Sequence, residues 1–229
     1  MSRTSRSRDF GLTPREAAAL RRLTPPWRIQ RFLDDLSYDV AGVGCRSPRR
    51  VLREHTVQCM DGALFGAAAL RLQGHRPLIL DLEGEQDTDH VLAVFRQHGC
   101  WGAIARSNYS GLRFREPVYR TIRDLVLSYV ESYFNLRREK TLRRYSRPVS
   151  LARFDRRGWM TAEEDLWYVA EYLVGIRHYR LLSPRVQTSL ATVDRRMFGA
   201  GLVGREGYPA RASAASRPRE TGRLRNRGR

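Results

Sequence analysis

Cysteine is scarce: Cys45, Cys59 and Cys100 are the three in 229 residues, at no regular spacing. An odd count with no CxxC pair argues against a disulfide framework and against a zinc site of paired cysteines, and it suits free thiols in a reducing compartment. No apolar run approaches the ~18 residues needed to cross a bilayer. The basic start MSRTSRSRDFGL is followed by no apolar segment of a secretory leader, so the expectation is a cytoplasmic chain without a membrane partner. GxxxxGK[ST], HExxH and GxGxxG are all missing, so no nucleotide, metal or other cofactor is indicated. Lysine is nearly absent too, with Lys140 the single one.

Arginine is abundant instead. The net charge is +18 and the isoelectric point about 11.0, which favours polyanions through release of their counterions. The charge is uneven, because residues 205–229 hold eight arginines against two glutamates. That places any nucleic-acid contact in the tail, aided by the basic connector of residues 137–156, and makes it non-specific. The oligomeric state has no signature in the sequence.

With 41% hydrophobic residues the chain has enough apolar material for one sizeable core. Thr13-Pro14 and Ser47-Pro48 are cap-plus-proline signals that open short helices. Between them Ile29, Phe32, Leu33 and Leu36 recur at helical spacing. From Cys59 to Gln73 there is no β-branched residue, and alanines alternate with Leu64, Phe65, Leu70 and Leu72 to make a helix apolar on most sides, closed by Gly74. The period then changes. RPLILDLEG and DHVLAVFRQHG read as strands, and CWGAIARSN as a third strand joined through the His98-Gly99 turn. Helices are expected from Pro117 to about Asn135, from Thr161 and from Ser183-Pro184. The expected domains are a disordered start at 1–10, a core at 11–136, a helical extension at 137–200 packed on that core, and a disordered arginine-rich tail at 201–229.

Cys59 stands at the mouth of the buried helix, His90 at the start of a strand, and Ser107-Asn108 at the end of the next. A helix N-terminus presents unpaired N–H groups and a positive dipole end, which favour a thiolate. The same groups, the backbone N–H of Cys59 and Met60, can hold an oxyanion. An imidazole within reach serves as base and acid, and a third polar residue fixes its tautomer. The order therefore suits a Cys-His-Asn or Cys-His-Ser arrangement, against the plainer reading that Cys59 is one more packed residue of an alanine-rich helix. Asp81 and Asp87 are within reach of His90 but read as solvated strand ends, and His55 is a minor candidate for a second base. Trp101, Arg113, Arg115 and Tyr119 are candidates for lining a substrate cleft, while Cys45 and Cys100 read as packing.

The run QCMDGALFGAAALRLQGHRPLILDL followed by DTDHVLAVFRQHGCWGAIARSN resembles the transglutaminase-like superfamily of papain-type cysteine enzymes. The likeness covers about residues 25–135, with its specific part in 58–108. The segment SNYSGLRFREPVYRTIRDLVLSYVESYFN resembles an uncharacterised bacterial branch of that superfamily. The resemblance implies an α+β, papain/transglutaminase-like fold with the cysteine helix packed on a small antiparallel sheet. It implies Cys59 as nucleophile and His90 as general base and acid. The family's third residue is usually an aspartate soon after the tryptophan; here Trp101 is followed by GAIARSN, with no carboxylate. Asn108 takes the orienting role, as asparagine does in papain-type enzymes, with Ser107 as alternative. The implied reaction is hydrolysis or acyl transfer at an amide of a protein or peptide. An inactive binding module of the same fold and a nucleic-acid-associated protein are the other readings.

Overall fold

The computed structural model describes residues 9–42 and 44–205. The fold is α+β. In chain order the elements are α1 (Pro14–Arg21), α2 (Trp27–Asp34), β1 (Ser37–Tyr38), α3 (Pro48–Glu54), β2 (Thr56–Val57), α4 (Cys59–Leu72), β3 (Leu78–Gly84), β4 (His90–Gln97), β5 (Cys100–Ile104), β6 (Arg115–Tyr119), α5 (Ile122–Leu127), β7 (Leu142–Ser146), β8 (Val149–Ser150), α6 (Trp167–Gly175), β9 (His178–Arg180), α7 (Pro184–Ser189) and α8 (Arg195–Gly201). Short 3₁₀ turns lie at Ser110–Leu112 and Leu151–Arg157.

One antiparallel sheet organises the molecule, in the order β6-β5-β4-β3-β7-β9 with β8 also paired to β3. Strand alternation sends its two faces into two cores. On one side Ile79, Val91, Ala93, Phe95 and Ile104 pack with Ala63, Phe65, Ala67 and Leu70 of α4. On the other, Leu80, Leu82, Leu92 and Val94 meet Leu125, Val126, Tyr129 and Tyr133 of the α5 region. α4 is therefore buried along nearly its whole length, as its composition requires. β4 and β5 turn at His98 (φ 50) and Gly99 (φ 80), the pair of left-handed residues that a tight hairpin needs.

Several expectations are corrected. Residues 117–135 do not form one helix: Pro117 lies in β6, an edge strand where a missing N–H is tolerated. The helix starts only after Thr121, which caps Asp124 and is capped by it. Helix α6 begins at Trp167, six residues after Thr161, and the segment from Pro184 divides into α7 and α8. Residues 137–200 are no helical extension, since β7, β8 and β9 belong to the central sheet. At the ends, Phe10 already packs against the α4-side core, and Leu202 is buried. The remainder of the expected disordered ends, residues 1–8 and 206–229, lies outside the described residues.

Candidate functional site

The start of α4 is fixed by a buried carboxylate. Asp61 accepts the backbone N–H of Gln58 at 3.1 Å and that of Arg46 at 2.6 Å. The Arg46 guanidinium reaches the same carboxylate at 3.1 Å and also pairs with Asp39 and Glu54. Two glycines set how close the helix lies to the sheet. A Cβ on Gly62 would stand 2.7 Å from Cβ of Arg106, and one on Gly66 would stand 3.0 Å from Cβ of Ala93. Cys59 is thus held as the first residue of α4, partly buried at the end of the sheet.

Its sulfur is engaged by main-chain donors. Strand β5 ends at Ile104, opposite Ala93, so β4 has no neighbour on that side before Ala93, and the Val91 N–H turns to the Cys59 sulfur together with the N–H of Met60. The expected thiolate does not result. Burial pushes the Cys59 thiol up to about 11, assisted by the negative charges of Asp61 and Asp81, and outweighs the two N–H groups.

His90 begins β4 opposite Leu82, with its side chain on the face away from α4, among Leu92 and Val94. Its Nε2 lies 2.8 Å from the carbonyl oxygen of Leu112 in the 3₁₀ turn. A carbonyl only accepts, so Nε2 carries the proton and Nδ1 is the basic nitrogen. Burial lowers the His90 pKa to about 4 and keeps the ring neutral. Cys59 and His90 open into one cleft of about 650 Å³, walled also by Tyr38, Gln58, Asn108 and Tyr109.

The remaining candidates divide. Asn108 and Ser107 both reach the cleft, but the Ser107 hydroxyl accepts the N–H of Tyr109 in a local turn, and the acceptor that orients His90 is the Leu112 carbonyl instead. Trp101 faces Tyr119 across β5 and β6 at the far end of the hairpin, and Arg113 is paired with Asp34. None of these three borders the cleft. Arg115 is bound to Ser128 and to the carbonyl of Gly111. His55 is the exposed left-handed cap of α3, and Cys45 is buried. Asp81, expected to be solvated, is 4% exposed and lies 2.9 Å from Nε2 of His178. Sequence reasoning missed Leu112, Val91 and His178. A backbone carbonyl or amide leaves no residue-type signal, and His178 meets Asp81 only through strands far apart in the chain.

Among the described residues no cluster of three or more His, Cys, Asp or Glu side chains is arranged to hold a metal ion, and no helix is long and apolar enough to cross a membrane. No family model matches this sequence, and no curated protein does.

Proposed function

We propose that this chain is a cysteine-dependent acyl-transfer enzyme of the papain/transglutaminase-like type, with Cys59 as nucleophile and Nδ1 of His90 as base. The observation that carries the reading is the convergence on one cleft of a helix-start thiol surrounded by N–H donors and an imidazole whose tautomer leaves Nδ1 basic. A cysteine-bearing helix laid on an antiparallel sheet, with histidine on an adjoining strand, supports the same fold type.

With a neutral thiol and a neutral ring, proton transfer accompanies attack. The Cys59 S–H proton passes across the cleft to Nδ1, relayed by a water because the two side chains leave opposite faces of the sheet, as sulfur bonds to the carbonyl carbon of the amide. The oxyanion is held by main-chain N–H groups at the α4 start, of which Met60 already faces the sulfur. Collapse breaks the C–N bond, and Nδ1–H protonates the departing amine. Water, deprotonated by Nδ1, then cleaves the thioester and restores the thiol. Asn108 sits in the cleft wall, placed to meet substrate rather than to orient His90.

The test is single-turnover acylation by p-nitrophenyl acetate, an activated ester. Nitrophenolate should be released in a burst, with the acetyl group found on Cys59 by mass spectrometry. Cys59→Ala should abolish the burst, and His90→Gln should slow it about 100-fold or more. A burst that survives Cys59→Ala would remove the proposal. An inactive binding module of the same fold is the second reading, favoured by the raised thiol and by the carbonyl standing where a carboxylate is usual. It predicts no Cys59 adduct at all.

A further inference from the structure

Strands β7 and β9 carry a surface that the cleft does not use. Tyr145 of β7 is paired directly with Tyr179 of β9, and their ring centroids are 6.0 Å apart with the planes tilted by 40°. Tyr145 packs at the margin of the α5-side core, so the pair lies on that face of the sheet, where Tyr179 is 40% exposed. Arg177, two residues before Tyr179, shares its face, and its guanidinium stands over the Tyr179 ring, 5.1 Å from the centroid. Leu181, two residues after Tyr179, is buried in the α5-side core, and the Arg123 guanidinium donates to its carbonyl at 2.7 Å. The ring pair thus has a guanidinium at either end. On the opposite face of the same edge, Arg180 stands directly across from Arg144, a like-charged pair that costs the ladder stability. Glu83 is across from Arg144 on its other side and answers that arginine alone.

Two ordinary reasons account for parts of this surface. Cross-strand aromatics steady a sheet, and charge on an edge strand discourages pairing with other chains; β9 is the last strand of its sheet. Neither reason calls for cations set around an exposed ring pair without counter-charges. Among the described residues Arg123, Arg177 and Arg180 pair with no carboxylate. Open ring faces beside uncompensated guanidiniums are complementary to unpaired bases joined by phosphates. A duplex keeps its bases stacked on one another and leaves the rings nothing to take, and an anionic lipid headgroup would use the arginines without the tyrosines. We propose that the β7–β9 face binds single-stranded nucleic acid, with an unpaired base stacked on Tyr179 and the neighbouring phosphates held by Arg177 and Arg123. The polyanion contact expected of the basic connector 137–156 then sits on a folded surface, separate from the arginine-rich tail. This inference does not depend on the role of Cys59.

The experiment is fluorescence anisotropy of labelled oligothymidylate and oligouridylate, about 15 nucleotides long, with the full chain over a range of salt concentrations; the tighter of the two identifies the natural strand. Tyr179→Leu keeps apolar bulk and removes the flat ring. It should weaken both strands about tenfold or more with the salt dependence unchanged. Arg123→Gln with Arg177→Gln should weaken them too, and flatten the slope of log affinity against log salt by about 1.4. A duplex of the same length, held by charge alone, should not respond to Tyr179→Leu. In the parent protein, irradiation with a 5-bromouracil strand should cross-link Tyr179 or Tyr145, located by mass spectrometry, so the test stands even if a variant does not fold. Folded Tyr179→Leu that binds as the parent does, an equal loss on the duplex, or cross-links confined to residues 205–229 would overturn the proposal. So would phosphatidylglycerol vesicles bound with the same dependence on Tyr179, which would make this a lipid surface.

Discussion

Nε2 of His90 lies 2.8 Å from the carbonyl oxygen of Leu112, so a main-chain acceptor, which cannot ionise, stands where catalytic imidazoles usually meet a carboxylate. A carbonyl fixes the tautomer as firmly as a side chain would, but it adds no negative charge to stabilise an imidazolium. The ring is therefore a weak base held in the right form. Strength of base and purity of protonation state trade against each other in any general base.

The first prediction is the pH dependence of acylation. The neutral form of His90 persists down to about pH 4, and Cys59 stays protonated up to about pH 11. Ester-burst rates should hold nearly constant from about pH 5 to pH 9 and fall only below that range, then rise at the alkaline end as free thiolate appears. A limb centred near the ordinary histidine value of about 6.5 would show that the Leu112 contact and the burial do not govern the ring. Stopped-flow release of nitrophenolate across the range decides it.

The second prediction concerns stability in acid. His90 has a lowered pKa in the folded protein, so the unfolded chain takes up the proton first as pH falls. The stability tied to the neutral ring is complete above about 6.5 and drains away as pH drops toward 4. The difference between those values corresponds to as much as ~3 kcal/mol. His90→Gln should accordingly lose less stability than the parent protein between pH 7 and pH 4.5. Urea denaturation at both pH values measures this, and equal losses would contradict the buried neutral state.

Much of the site's frame was legible from residue types. Helix α4 has the bounds its composition requires, because no β-branched residue interrupts it and Gly74, at φ 92, ends it. Strand β3 followed from a bounded apolar run, and the β4–β5 hairpin from alternation and one turn, while the β3–β4 pairing is added by the structure. The failures share a cause, which is that tertiary partners overrode local pattern. Val118, Ile122 and Leu125 have helical spacing, yet edge pairing with β5 claims residues 115–119. The arginines of LRRYS disguised β7, a strand whose Leu142 and Ser146 are buried against β3. The partners of Cys59 and His90 are peptide groups, invisible to any reading of side chains. Asp81 looked like a solvated strand end because its histidine arrives from the far side of the sheet.

The third prediction tests the helix seat. A Cβ on Gly62 would stand 2.7 Å from Cβ of Arg106 and 3.3 Å from its backbone nitrogen, and the neighbour is a chain segment rather than a flexible tip. Gly62→Ala should therefore destabilise by about 1–3 kcal/mol, as overpacking does, despite the better helix propensity of alanine. It should also displace Cys59, so the alkylation rate changes along with the denaturation midpoint. An alanine variant more stable than the parent would mean that α4 does not press on the strand end.

The last prediction follows from β3 being a central strand. Its second edge is covered by β7 and β8, through the pairs Leu82–Tyr145, Ile79–Val149 and Leu78–Ser150. Beyond those strands, Trp159, Val169 and Leu173 fill the core that holds α4, while Leu142 and Leu181 fill the opposite one. A fragment of residues 11–136 keeps the cysteine, the histidine and the hairpin, yet it uncovers a long apolar strand edge and part of both cores. Such an edge pairs with other copies, so the fragment should aggregate or lack near-ultraviolet dichroism, and its Cys59 should alkylate as an unfolded thiol does. Residues 9–205 should instead fold as one unit with a single cooperative transition. If residues 11–136 proved monomeric and natively packed by size exclusion and circular dichroism, the sheet would have to be stable without its last three strands.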